Sequence, residues 1–182
     1  MSEKPVLVID HPMRRLKLAK VVVNMAVGES GERLANAVKL LEELTGQKPS
    51  LRQAKRTIKE FGIRKGENIA CVVTLRGEKA LNFLRRVLET VKYTIKESSI
   101  DDYGNISFGI REHILLPGTK YDPSIGIFGF DVNIVLERPG FRVSRRRRKR
   151  NKIGKNHRRI PRSEAKMFLE KVLGVKVVGK GG

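Results

Sequence analysis

Lys20-Val21-Val22-Val23-Asn24-Met25-Ala26-Val27-Gly28 is the stretch from which the fold follows. At a period of two, Val21, Val23, Met25 and Val27 fall on one side of a strand, and Val22, Asn24 and Ala26 on the other. The first side is wholly apolar and can seat helices. The second carries one amide among small residues, and burying an unpartnered amide costs about 1–3 kcal/mol. That side suits a polar ligand better than a core. Gly28 ends the strand, and Glu29-Ser30-Gly31 opens a helix.

Working outward, Ser30 is the expected N-cap of a helix running to Thr45, with Leu34, Val38, Leu41 and Leu44 on one stripe and Gly46 as the stop. Pro49 and Leu51 fit an edge strand between Gln47 and Arg56. Residues 57–68 hold two glycines and alternating charge, the pattern of a protruding loop tipped by Phe61 and Ile63. Ile69 to Arg76 repeats the two-sided strand, with Cys71, Val73 and Leu75 inward and Val72, Thr74 and Arg76 outward. Glu78 to Val91 is amphipathic, with Leu81, Leu84, Leu88 and Val91 in register. Ile106, Phe108 and Ile110 alternate into a further strand, and Phe128, Phe130, Val132, Ile134 and Leu136 line the core side of Ile127 to Glu137. Ser163 caps a last helix through Leu173, with Ala165, Phe168, Leu169 and Val172 inward. Two-sided alternation with helices between some strands predicts an α+β fold: one domain, a largely antiparallel sheet of about five strands, helices on one face. Residues 1–19 form an N-terminal arm, 142–162 a basic extension, and 175–182 a flexible tail.

Charge supplies the partner. The formal net charge is +20 and the isoelectric point near 10.6, a field that attracts polyanions, nucleic acid first and an anionic membrane second. No apolar run approaches the length of a membrane span, and the N-terminus has no apolar signal core. One cysteine excludes an internal disulfide and fits the cytosol. Twelve Lys/Arg and no acid lie between Arg142 and Arg162, so twelve of the net twenty charges sit in 21 residues.

Catalysis has no foothold. His11, His113 and His157 are scattered, Cys71 sits on an inferred core face, and neither metal-ligand spacing nor a phosphate-cradling glycine pattern occurs. No cofactor is expected. The Asp101-Asp102 pair reads as solvated loop. Arg142, Arg145, Arg146, Arg147, Arg148, Lys149, Arg150, Arg158 and Arg159 are instead suited to phosphate, which guanidinium grips by two parallel hydrogen bonds. Their bland reading is a solvated tail; Ile153, Ile160 and the helix that follows argue that the segment returns to the fold. The loop cations Lys55, Arg56, Lys59, Arg64 and Lys65 are equally compatible with an ordinary exposed loop. Asn24, Gln47 and Thr74 can pair with base edges and ribose hydroxyls, or else with each other between strands.

Five motifs occur in order: Val23 to Glu29, Leu44 to Pro49, Phe61 to Gly66, Val73 to Glu78 and Phe108 to Glu112. With them the chain resembles large-subunit ribosomal protein five, the carrier of 5S ribosomal RNA, from about residue 12 to 175. Arg138-Pro139-Gly140-Phe141-Arg142-Val143 and the arginine run resemble the archaeal and eukaryotic branch, and Ala26 departs from a glycine expected in the first motif. The resemblance implies a place in the central protuberance of the cytoplasmic large subunit, among ribosomal RNA and other proteins there. It implies that Asn24, Met25, Gln47, Lys48, Thr74 and Arg76 face 5S rRNA. It implies that the loop bearing Lys55, Arg56, Lys59, Phe61, Arg64 and Lys65 reaches a peptidyl-site tRNA. It also implies an intersubunit bridge to small-subunit protein thirteen near Asp101, Asp102, Lys120 and Tyr121. The competing expectation is a basic RNA-processing or chaperone factor outside the ribosome; a modifying enzyme would need an acid–base pair or cofactor loop that the sequence lacks.

Overall fold

The computed structural model describes residues 11–119 and 122–179. In chain order the elements are β1 (Lys17–Ala26), α1 (Glu32–Thr45), β2 (Ser50–Gln53), β3 (Asn68–Leu75), α2 (Gly77–Thr90), β4 (Thr94–Lys96), β5 (Asn105–Ile110), β6 (Phe130–Glu137), α3 (Arg142–Arg145), α4 (Lys155–Arg158), α5 (Arg162–Leu173) and β7 (Lys176–Val178). Five strands form an antiparallel sheet in the order β2-β3-β1-β6-β5. The valine strand that opened the sequence reading is its centre.

Register explains the two faces. Val21 lies opposite Leu75 and Ile134, Val23 opposite Val73 and Val132, and Met25 opposite Cys71. All are buried, and with α1, α2 and α5 they make one aliphatic core. Fully burying a Val, Leu or Ile side chain is worth about 1.5–3 kcal/mol, so this layer carries the fold. Cys71 belongs to it, and burial pushes its thiol up to about 11, which leaves it unreactive.

Several expectations shift locally. Ser30 does not cap α1: the cap is Gly31 at φ 107°, and the Ser30 hydroxyl donates to Glu67 Oε1 at 2.5 Å. In α2 the expected Leu84 and Leu88 are fully buried and Val91 packs against the core, but Ala80, Phe83 and Val87 complete the stripe and Leu81 is only half-buried. Helix α5 starts from Pro161 rather than Ser163, and Val172 is 59% exposed rather than inward. The segment expected as a flexible tail is ordered at its start, where Val175 is buried and β7 pairs in parallel with β4; residues 180–182 lie outside the described residues. That pairing joins segments some 80 residues apart, which no local period could signal. The Asp101 and Asp102 pair is not merely solvated. Asp101 Oδ1 accepts the Tyr103 and Asn105 amides at 2.8 and 2.7 Å, and Asp102 pairs with Arg162 at 3.2 Å and Arg159 at 3.5 Å.

Candidate nucleic-acid interface

The face of the sheet opposite the core presents Lys20, Val22, Asn24 and Ala26 from β1, Ala70, Val72 and Thr74 from β3, Asp131, Asn133 and Val135 from β6, and Asn105, Ser107 and Gly109 from β5. Their order follows from alternation alone: every residue between two core positions points here. Val22, Asn24, Val72, Thr74 and Asn133 are half-buried by their strand neighbours, while Asp131, Ser107 and Gly109 are exposed.

At its centre Asn24 lies opposite Val72 on one side and Asp131 on the other. Gly109 completes the row beyond Asp131, and a Cβ there would sit 3.3 Å from Asp131 Oδ1. A shallow concavity of about 450 Å³ lies here, lined by Asn24, Ala26, Gly109, Arg111 and Asp131. Among the described residues the side chains of Asn24, Thr74, Asp131 and Asn133 make no hydrogen bond to protein, so the interstrand polar pair does not form. Gln47 does turn to the sheet, its Nε2 donating to the Thr74 carbonyl at 3.4 Å. Thr74 in turn lies opposite Val22, one step diagonally from Asn24. Lys48 is exposed beside Gln47. Arg76, at the N-terminus of α2, is exposed with Nη1 donating to the Ala19 carbonyl at 3.4 Å.

Met25 must be withdrawn from this face. It is 0% exposed and packs beneath the sheet, because it stands one residue from Asn24 on a strand of period two. Asp131, Asn133 and Ser107 are the members that the sequence analysis passed over. The signal was present in the same alternation that assigned Phe130, Val132 and Ile134 to the core.

Basic elements flank the two ends of the strands. Beyond the β2–β3 end rises the loop of residues 54–67. It is stitched rather than loose: Ile58 and Ile63 exchange amide bonds of 2.9 and 3.1 Å, and Gly62 turns the tip at φ 67°. Lys65 N donates to Thr57 Oγ1 at 3.1 Å, and Arg64 N to Glu67 Oε2 at 2.9 Å. These two bonds to Glu67, from the Arg64 amide first and the Ser30 hydroxyl second, hold its carboxyl below the ordinary value of 4.5. Phe61 stands 72% exposed at the tip, and Lys55, Arg56, Lys59, Arg64 and Lys65 are exposed around it.

At the other end the basic extension leaves β6 and folds back over Glu137, Val135 and Asn105, enclosing a cleft of about 700 Å³ with Phe141, Ser144, Arg145 and Arg150. Ile160 is 1% exposed, so the extension does return to the fold. Its cations sort into two sets. Arg145 pairs with Glu137, and Arg159 and Arg162 pair with Asp102, so these three are engaged within the chain. Arg142, Arg147, Arg148, Lys149 and Arg158 are exposed with no ion pair among the described residues, and Arg146 and Arg150 use only Nε, on the Lys149 and Ser144 carbonyls at 2.8 Å. Lys120 and Tyr121 lie outside the described residues.

No group of three or more potential metal ligands occurs among the described residues, and no described helix is long and apolar enough to cross a membrane. The arrangement can therefore bind: neutral and acidic hydrogen-bonding groups in the centre, cations at both ends.

Known proteins resemble this chain in sequence over most of its length. The family model described as Ribosomal protein L5 matches residues 11–64, and that described as ribosomal L5P family C-terminus matches residues 68–170. Large ribosomal subunit protein uL5 of Aeropyrum pernix is 60% identical over 168 residues, covering 92% of this chain and 87% of its own. The protein of the same name from Sulfurisphaera tokodaii is also 60% identical, covering 92% and 95%. That of Archaeoglobus fulgidus is 54% identical over 166 residues, covering 91% and 92%.

Proposed function

This chain belongs to the ribosomal protein L5 family, and from that premise we propose that it is a structural part of the large ribosomal subunit that docks 5S rRNA on the open face of its sheet. One observation carries the proposal: Asn24, Thr74, Asp131 and Asn133 crowd one face that no described element covers, and among the described residues their side chains make no hydrogen bond to protein. Asn and Thr can donate to and accept from base edges and ribose hydroxyls. Asp131 repels phosphate and accepts from a base amine or a 2′-hydroxyl, so the centre reads bases and sugars while the flanks take phosphate.

The remaining contacts follow the same division. Gln47, Lys48 and Arg76 extend the 5S face toward the basic extension, whose unpaired arginines neutralise ribosomal RNA. The stitched loop with Phe61 and its five cations contacts a peptidyl-site tRNA: an aromatic tip stacks on exposed bases and the cations track the backbone. Loops around Asp101–Asn105 and residues 120–125 meet small-subunit protein thirteen across the subunit interface. The protein thus sits in the central protuberance of cytoplasmic ribosomes, beside other large-subunit proteins.

The test compares 5S rRNA with random RNA of equal length. Replacing Asn24 and Gln47 together by Ala weakens 5S binding by about 2–4 kcal/mol, as expected for two lost polar contacts of 1–2 kcal/mol each, and leaves random RNA unaffected. Equal losses on both RNAs would sink the sheet-face reading and favour a general basic RNA-binding factor outside the ribosome.

A further inference from the structure

A run of twelve like charges repels itself, and such blocks ordinarily stay extended. Residues 142–162 do the reverse. Ile160 inserts into the core, and Tyr103 pairs with it in a parallel bridge. Directly opposite stands Gly104 at φ 73°, where a Cβ would lie 2.9–3.1 Å from three Ile160 carbons. The glycine is a notch cut for that isoleucine. At the segment's other end Glu137, almost fully buried, pairs with Arg145. Between these anchors the chain ties itself: Asn151 N donates to the Val143 carbonyl at 3.2 Å, and Arg150 Nε to the Ser144 carbonyl at 2.8 Å. Lys149 takes a left-handed turn at φ 50°, closed by Arg146 Nε on its carbonyl.

We infer that Gly104, Ile160 and Glu137 are positioning residues that hold the arginine segment folded in the free protein, so that it meets RNA already shaped. Its purpose rests on the RNA-binding reading above, but its geometry does not. The anchors work by sparing the RNA complex the ordering of long, rotamer-rich side chains and their backbone. They also set which cations are offered: Arg145, Arg159 and Arg162 are held by Glu137 and Asp102, while Arg147, Arg148, Lys149 and Arg158 point to solvent without an ion pair among the described residues. The Asp102 pairs are exposed and such pairs hold little, so Ile160 in its notch and the buried Glu137 carry the anchoring.

Hydrogen exchange and trypsin sensitivity of the full-length free protein test this, followed by 5S rRNA titration. In the wild type, amides of Arg146, Asn151 and Arg159 exchange at least about tenfold slower than an unstructured chain, and cleavage at 145–150 is slow. Gly104→Ala raises both toward the unstructured rate while α1 and α2 keep their protection, and it weakens RNA binding about threefold or more with no change of charge. If Gly104→Ala does not fold, Ile160→Ala makes the same break, and Ile160→Val restores protection and affinity together. Glu137→Gln supplies an opposite sign: simple electrostatics predicts tighter RNA binding from the lost negative charge, whereas lost positioning predicts weaker binding. Wild-type amides that exchange as fast as free chain, or a Glu137→Gln protein that binds more tightly with its segment still protected, overturns the inference. Protection that survives in a protein indifferent to RNA would instead count against the RNA-binding reading alone.

Discussion

Asn24 and Met25 are neighbours with opposite fates, and a strand's two-residue period is the whole reason. A resemblance carries residues over as a block, but only one member of an adjacent strand pair can face a ligand with its side chain. Met25→Ala should therefore cost about 2–5 kcal/mol in a denaturant titration, the range for a large apolar residue emptied from a core, while the folded fraction binds RNA as before. A second contrast lies between two glycines. A Cβ on Gly129 would come within 2.8 Å of the Arg111 carbonyl and 3.1 Å of the Ile110 carbonyl, both backbone, which cannot give way. On Gly109 it would meet only the free end of Asp131 at 3.3 Å. Thermal unfolding should show Gly129→Ala destabilised by about 1–3 kcal/mol, in the range of overpacking, and Gly109→Ala close to wild type.

Among the elements, the loop between β2 and β3 is the one whose form follows from a single acid. Glu67 accepts from Ser30 and from the Arg64 amide, which ties the loop to the turn before α1. Its folded pKa lies below 4.5, so the charged form is the one the folded loop prefers. The stabilisation is present above the unfolded value and fades as pH falls through the folded one. Amide exchange at Arg64 and Ile63 should accordingly speed up, relative to β3, as pH falls below the ordinary carboxyl value of 4.5, and Glu67→Gln should abolish that dependence. A pH-independent wild-type loop would mean that the tie does not hold it. The sequence made this segment legible as a protrusion with an apolar tip. It did not make the stitching legible, because Ser30 and Glu67 are 37 residues apart and Ser30 served equally well as a helix cap on paper. The α2 stripe was legible only in part for a related reason: Ala80 and Phe83 bury where Leu81 only half does, and hydropathy favours the leucine.

On the scale of the whole molecule, charge is sorted by position. The open face keeps a nearly neutral centre, and the cations stand beyond both ends of the strands. Specificity and salt dependence should therefore separate. Replacing Arg147, Arg148 and Lys149 by Ala should flatten the plot of log affinity against log salt by about 2–3, at roughly 0.7–0.9 per phosphate contact, and leave the preference for 5S over random RNA unchanged. A triple variant that loses the preference with an unaltered slope would place base recognition in the extension instead.

What the chain's own letters determined is the alternation: which strands exist, which face of each is aliphatic, and that the net charge gathers before the last helix. Those properties are local, set by a period of two or by a count. Only the tertiary structure decided that β7 pairs with β4, that Glu137 and Asp102 draw three arginines back to the body, and that Gly104 opens a notch for Ile160. Except for Glu137 and Arg145, eight positions apart, these join residues remote in sequence, and neither packing nor charge leaves a periodic trace in the chain.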